Sequence, residues 1–306
     1  MESVCIFGSS ARGKADALSD KDVLVVSDSY ERRTALRSEW AQKGWSVASY
    51  LPARLGAISA EGGLFVQHLK QEGLIVSDPQ GWLSCLLNAY QPKESYFSDF
   101  IRSIKLLRPL DRQLSRRWEL LFAADVLYVF VRNAGIYELA SRKIYEFSYE
   151  RIISCLSERR CISKESVDAL LRLRILKSSY RERTENCESS DELYVAIEAV
   201  RSMFGISIDP VLPVNYRVRF CDNRYSVLRD LEARLVGTFD IRKLDSFAVD
   251  GKIDAYWRMI NDPRAYSWSI RRIGMSELDE VNRLIDAARE DSVQCSTRAG
   301  AIGQCA

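Results

Sequence analysis

Two apolar runs near the N-terminus limit what this chain can build. Ser3-Val4-Cys5-Ile6-Phe7 stops at Gly8, and Val23-Leu24-Val25-Val26 follows Asp22. Each run is too short for a helix and is bounded by turn residues, so each reads as a buried strand. A brief helical turn is expected between them, from Ser10 to Leu18. Residues 29–43 have helical character with Gly44 as the stop signal, and 45–51 read as a third strand. The next helix runs from about Gly63 to Gln71 and stops at Gly73; Leu74-Ile75-Val76 is a short strand before the turn at Asp78-Pro79. This βαβαβ pattern fills about the first 85 residues. It predicts an α/β (α+β) domain with a small mixed sheet.

Beyond it the periodicity becomes helical. Residues 94–107, 111–131, 137–158, 164–183 and 190–203 carry apolar residues at helical spacing, with Asn133-Gly135 and Ser163 as punctuation. Residues 205–219 contain two prolines and β-branched residues and read as a connector or small strand pair. Residues 223–290 are again helical in character, and the tail is small, polar and mobile in character. The expected organisation is 1–90 as the first domain, 91–205 as a mainly α-helical domain, 206–290 as a C-terminal mainly helical region and 291–306 as a flexible tail.

A chain of 306 residues with 47% hydrophobic content can bury a sizeable core, and more than one domain is the better prior. Lys+Arg is 44 and Asp+Glu 42, for a net charge of +2, so bulk electrostatics do not advertise a nucleic-acid binder. A local basic groove stays open, because net charge is silent on distribution. No run of about 18 apolar residues suggests a membrane span. Met1 to Ser10 lack a basic leader, so a cytoplasmic location is expected. Eight cysteines without a CxxC pair read as reduced thiols. His68 is the only histidine, which excludes a histidine-cluster metal site and any mechanism needing two. A Ser-His or Cys-His pair has no supporting nucleophile motif.

The chemistry-bearing segment is Phe7-Gly8-Ser9-Ser10-Ala11-Arg12-Gly13, followed by Ser19-Asp20-Lys21-Asp22 at the start of the second strand. Asp20 and Asp22 are two apart, and strand alternation puts both carboxylates on one face. So close, they repel unless a cation sits between them. Mg²⁺ takes oxygen ligands and binds through one or two carboxylates plus substrate phosphates. Gly8-Ser9 supplies a complementary half: glycine lets backbone approach a phosphate, and successive N–H groups in a tight turn bind anions. Ser9 or Ser10 adds a hydroxyl donor. Arg12 either reaches a phosphate or is an exposed structural arginine. A lone DxD or a lone GSS carries little weight; the combination at this spacing carries much more.

With these residues in view, the segment resembles the polymerase-β-like nucleotidyltransferase superfamily: an apolar residue, Gly, Gly or Ser, about ten residues, then Asp-x-Asp or Asp-x-Glu. Gly8, Ser9, Asp20 and Asp22 fit this pattern, and the resemblance covers roughly residues 1–80. It implies that 1–90 is a catalytic domain moving a nucleotide from an NTP or dNTP to a hydroxyl with release of pyrophosphate. It further implies Asp20 and Asp22 as ligands of Mg²⁺ (or Mn²⁺) and Gly8, Ser9, Ser10 and Arg12 as nucleotide-binding residues. Family members usually carry a third carboxylate on the next strand, which here reads Trp45-Ser46-Val47-Ala48-Ser49-Tyr50-Leu51 without Asp or Glu. Either two carboxylates suffice, or Glu61 or Glu72 comes in from a neighbouring element, or the domain only binds nucleotide. The stretches LFVQHLKQEG, SDKDVLVVS and GWSVASY are also similar to a bacterial antiphage-defence subgroup of Hailong type. That similarity implies an oligonucleotide signal controlling a companion effector. An antitoxin-type transferase modifying a tyrosine or serine of a partner toxin is the rival within the enzyme class, and a catalytically dead regulator the rival outside it. An RNase of RxxxxH type is disfavoured, since the one histidine lies in the first domain. Ser292, Ser296 and Thr297 in the tail offer hydroxyls for self-modification.

Two further features remain open. Phe65, Val66 and Leu69 form an apolar stripe of core character, while His68 and Glu72 share a helix face that either borders the site or belongs to an ordinary amphipathic helix. Arg174, Lys177 and Arg181 make one basic stripe, for phosphates or for solvent. Trp118 and Tyr128 stack a base or, more commonly, fill a core.

Overall fold

Strand β1 (Glu2–Phe7) pairs antiparallel with β2 (Asp22–Ser27), and β2 pairs parallel with β3 (Ser46–Tyr50). Helix α1 (Tyr30–Gln42) makes the crossover between the two parallel strands. It starts at Ser29, whose hydroxyl accepts from the Arg32 amide, satisfying one of the donors that a helix start leaves open. Strand β4 (Leu74–Ser77) adds to the other side of β1, giving the order β3-β2-β1-β4. The small mixed sheet expected from the sequence is therefore present. The computed structural model describes residues 1–16, 19–110, 117–182, 184, 190–206, 224–238, 279, 282–283 and 285–286. Most of the expected connector at 205–219, most of the helical region at 223–290 and the tail with Ser292, Ser296 and Thr297 lie outside them.

The apolar strands are buried because both faces of the sheet are covered. On one face α1 packs on β2 and β3. On the other, Cys5, Phe7, Leu24 and Val26 join a core with Leu55 of α2 (Pro52–Ala60), Val66 and Leu69 of α3 (Leu64–Glu72), and Leu83 and Leu87 of α4 (Trp82–Ala89). Helices α2 and α4 are additions to the sequence reading; Pro52 in the first turn starts α2, where a missing N–H costs nothing. Asp78 fixes β4 to α4 by accepting from the Leu83 and Ser84 amides at 3.2 and 2.9 Å, while the Ser3 hydroxyl donates to it from β1 at 2.8 Å.

The helical turn expected at Ser10 to Leu18 is instead a series of turns through Gly13. Gly8 and Gly13 both have positive φ, +73° and +66°, and a left-handed residue at each end stops a helix from propagating. Ala17 and Leu18 lie outside the described residues.

The remainder of the described chain is helical: α5 (Phe97–Ile104), a short 3-10 segment (Lys105–Leu110), α6 (Arg117–Ala140), α7 (Tyr149–Arg160), α8 (Lys164–Glu182), α9 (Ser190–Phe204) and α10 (Arg224–Thr238). The Asn133-Gly135 signal predicts a break between two helices, yet α6 runs through it. Gly135 is there for packing: a methyl group on it would lie 2.3 Å from Cγ2 of Ile152 on α7. By length and composition α6 could cross a membrane, but most of its apolar window is buried inside the protein. That is what a core helix does.

Among the described residues the chain divides into two compact units, Met1–Ser103 with Val131–Val167 and Ile104–Phe130 with Asp168–Ala306. The second contains a buried ionic cluster. Asp125 on α6 is fully buried and accepts from Nε and Nη2 of Arg181 at 3.0 and 2.6 Å, and from Nη2 of Arg229 at 2.5 Å. Glu232 accepts from Arg229 at 2.6 Å and from the Tyr180 hydroxyl at 2.8 Å. Trp118 is a core residue, and Lys177 lies 4.7 Å from the centre of the Tyr128 ring.

Candidate active site

The β1–β2 register brings the two halves of the motif together. Phe7 is the cross-strand partner of Asp22, so Gly8 leaves the sheet directly beside that carboxylate. A Cβ on Gly8 would sit 3.3 Å from Oδ2 of Asp22, and its φ of +73° is a conformation that side-chain-bearing residues avoid. Glycine is thus required twice, for the turn and for the space.

After Gly8 the backbone closes on itself. The Arg12 amide donates to the Gly8 carbonyl at 3.2 Å and the Lys14 amide to the Ser9 carbonyl at 3.0 Å. The amides of Ser9, Ser10 and Ala11 donate to no group among the described residues. The Ser10 hydroxyl is buried and without a hydrogen-bond partner there. The Ser9 hydroxyl reaches the Asp20 carbonyl at 3.5 Å. Consecutive unbonded amides in a tight turn form an anion-binding concavity, and a buried hydroxyl without a partner carries a desolvation cost that a ligand oxygen would remove.

Asp22 shares its sheet face with Ser46, Ala48 and Tyr50 of β3, as the parallel register and the core packing define. Burial raises the Asp22 pKa above the ordinary carboxylate range, and the like charge of Asp20 raises it further. Arg132, His68 and a hydrogen bond with the Ser46 side chain pull the other way without cancelling this. The carboxylate is therefore short of positive charge.

Glu72 is at the C-terminal end of α3, buried, and holds two partners. Its Oε2 accepts from Arg12 on the turn and meets Nε2 of His68 at 2.8 Å. Burial works to raise the Glu72 pKa, but the His68 hydrogen bond and the neighbouring His68 and Arg12 charges outweigh it and leave it lowered. The His68 ring stacks on Phe147, centroids 4.4 Å apart, and meets Phe7 edge-on at 5.5 Å. Arg12 is thus engaged by a carboxylate. Glu61, the other acid that the sequence offers as a third ligand, is exposed at the end of α2. Arg181 of the basic stripe is committed to Asp125.

Among the described residues no group of three or more His, Cys, Asp or Glu side chains is arranged to hold a metal ion. A two-carboxylate site fits a hard divalent cation only if water and substrate oxygens complete its shell, which is the usual way Mg²⁺ is bound beside phosphates. The shortage of positive charge at Asp22 and the like charge of Asp20 suit that arrangement. Sequence reasoning missed Arg132. It lies far along the chain from the motif, within a helix, and no spacing rule points to it.

Residues 2–72 match the family described as "Nucleotidyltransferase domain". No curated protein and no solved structure gives a match to the chain. The matched span runs from the start of β1 to the end of α3 and includes the Gly8 turn, Asp20, Asp22, His68 and Glu72. This part of the first unit is therefore similar to nucleotidyltransferase domains.

Proposed function

We propose that the chain is a Mg²⁺-dependent nucleotidyltransferase of polymerase-β-like type, moving a nucleotide from an NTP or dNTP to a hydroxyl acceptor. The observation that carries this is the placement of the Gly8 turn, with its unbonded amides, against the under-neutralised Asp22 carboxylate. The amides of Ser9, Ser10 and Ala11 and the Ser10 hydroxyl receive phosphate oxygens. Asp20 and Asp22 hold the cation, and the Ser46 side chain stands beside Asp22 on the neighbouring strand. When bound, the cation lowers the pKa of the attacking hydroxyl and offsets charge on the triphosphate. The acceptor hydroxyl gives its proton to water, its oxygen forms a bond to the α-phosphorus, the bond from that phosphorus to the bridging oxygen breaks, and pyrophosphate leaves.

The test is incubation with each labelled NTP and dNTP, with Mg²⁺ or Mn²⁺ and candidate acceptors. A product that disappears in the Asp20→Ala/Asp22→Ala double variant is expected. Absence of turnover with every nucleotide and acceptor would sink the reading. The similarity to Hailong-type proteins supports an oligonucleotide product that controls a companion effector, with an antiphage role; a labelled partner protein in place of free oligonucleotide would favour the antitoxin-type reaction.

A second reading has its own observation. The face of β3 next to Asp22 offers a serine, an alanine and a tyrosine where a third carboxylate would stand. This supports a domain that binds nucleotide without transferring it. That reading expects nucleotide binding by calorimetry with no product, and unchanged biological activity in the double variant.

A further inference from the structure

A turn that offers its amides to a ligand cannot also be pinned through them. From Gly8 to Gly13 the chain runs outside the sheet, and its backbone closes through the Arg12, Gly13 and Lys14 amides at 3.2, 3.3 and 3.0 Å. Holding that loop in one shape falls to side chains at its two ends.

Both ends are gripped by α3. At the entry, the Phe7 ring meets the rings of His68 and Phe65 edge-on, each at 5.5 Å. At the exit, Nη1 of Arg12 donates to Oε2 of Glu72. His68 and Glu72 are one helical turn apart, and Nε2 of His68 lies 2.8 Å from the same Oε2. An ionised carboxylate only accepts, so the His68 nitrogen facing it carries a proton. The side chains of His68 and Glu72 are 9% and 8% exposed, against 25% for Arg12. The helix is itself held in place: Phe147 stacks on the His68 ring at 4.4 Å, and the Tyr145 carbonyl accepts from Gln71 at 3.0 Å.

We infer that Glu72 is a positioning residue: with His68 it clamps Arg12, and so holds the Gly8 turn with its amides presented to the phosphates of a nucleotide. The phosphate part of this inference rests on the nucleotide reading of the site. Arg12 then works through Glu72 and does not touch phosphate. Glu72 works through Arg12 and is not a third metal ligand. A buried charge-assisted hydrogen bond restricts the turn, and donors fixed before the ligand arrives spare an ordering cost on binding.

The three roles open to this pair, clamp, phosphate ligand and metal ligand, predict different results. Calorimetry on the full chain with inorganic tripolyphosphate in Ca²⁺ requires no choice of base or acceptor. With a clamp, Arg12→Ala and Glu72→Ala each weaken binding roughly tenfold, and the double variant is no weaker than either single one. Arg12→Lys, which keeps a charge on Glu72, retains most of the affinity. Glu72→Gln, closer in shape, carries the same test should the Ala variant not fold. Hydrogen exchange of the Arg12, Gly13 and Lys14 amides, followed by mass spectrometry, should quicken in the weakened variants while α6 exchanges as in wild type.

Wild-type or tighter binding in the Glu72 variants would mean that Glu72 merely restrains a phosphate-binding Arg12, and would overturn the clamp. So would losses that add in the double variant, or a Glu72 loss that excess Ca²⁺ restores, which marks a metal ligand. Exchange that quickens equally in α6 would reduce Glu72 to a general stabiliser of the fold and overturn it as well. A wild-type chain that binds no tripolyphosphate would remove the nucleotide reading instead. The clamp is then decided by exchange alone: upheld if the turn loosens in the variants, overturned if it does not.

Discussion

Asp22 in the first unit is a half-buried carboxylate and Asp125 in the second a fully buried one, and their surroundings answer that burial in opposite ways. Asp125 touches two arginines directly. Burial works to raise its pKa, but the Arg181 and Arg229 charges and the Arg181 hydrogen bonds overcome it and hold it at about 2. Asp22 feels Arg132 and His68 only through space, stands near Asp20, and stays above the ordinary range. A carboxylate that serves the fold has its counter-charge built in. Carboxylates of the other kind, left with a deficit, cluster at ligand sites.

The comparison can be broken most directly by deleting each acid. Asp125→Ala leaves Arg181 and Arg229 uncompensated in the interior and should cost about 3–5 kcal/mol in denaturant unfolding. Asp22→Ala removes a desolvated, under-neutralised charge and should leave stability unchanged or slightly raised, while abolishing transfer. If both variants lose stability equally, the distinction between a structural and a ligand-seeking carboxylate fails.

Acid should show the same contrast with a smaller effect. Asp125 is lowered from an unfolded value of 3.8 to about 2. Its contribution is therefore complete above the unfolded value and is lost as pH falls toward 2, about 2 kcal/mol in all. Asp22 has the reverse sign: the folded chain takes up its proton first, so protonation there favours folding. Wild type should lose stability in this window, and an Asp125→Asn variant, already weakened, should lose less. Identical pH slopes would refute the assignment.

Next in size is Gly8. Gly8→Ala puts a side chain at φ +73° and 3.3 Å from Oδ2 of Asp22, with an expected stability cost of about 1–2 kcal/mol. Its sharper readout is ligand-dependent: the rise in melting temperature produced by nucleotide and Mg²⁺ should vanish. A normal thermal shift in Gly8→Ala would argue against the turn as the phosphate site.

The smallest expected effect concerns thiols. Cys5 is buried under Gly73, and burial pushes its pKa up to about 11, whereas Cys85 and Cys161 are exposed. An aromatic disulfide reagent should modify Cys85 and Cys161 in the native chain and reach Cys5 only on unfolding. Early labelling of Cys5 would mean that the β1–α3 packing beneath the site opens readily.

Much of the sheet is legible in the sequence because its signals are local. The apolar runs bounded by glycine and aspartate mark β1 and β2, and Ser29 and Gly44 bracket α1. The Gly8-Ser9 and Asp20-Asp22 placement is legible for the same reason, since a hairpin-like register sets it. The features that escape a sequence reading depend on distant contacts. Gly135 looks like a helix stop unless Ile152 is known to lie against it. Arg12 looks like a phosphate ligand until Glu72, sixty residues on, is found holding it. Arg132 carries no motif at all, and only the return of α6 to the first unit gives it meaning.

That return has a consequence for how the chain is made. The first unit is interrupted in sequence, and the segment Val131–Val167 completes it after an intervening stretch assigned to the second. During vectorial synthesis, at roughly 5–20 residues per second, the motif-bearing strands emerge well before Phe147 and Arg132 do. Until then His68 lacks its stacking partner. A nascent chain paused near residue 90 would thus hold the whole matched motif and still be an immature species, dependent on later residues, or on a chaperone in the interval, to avoid misassembly.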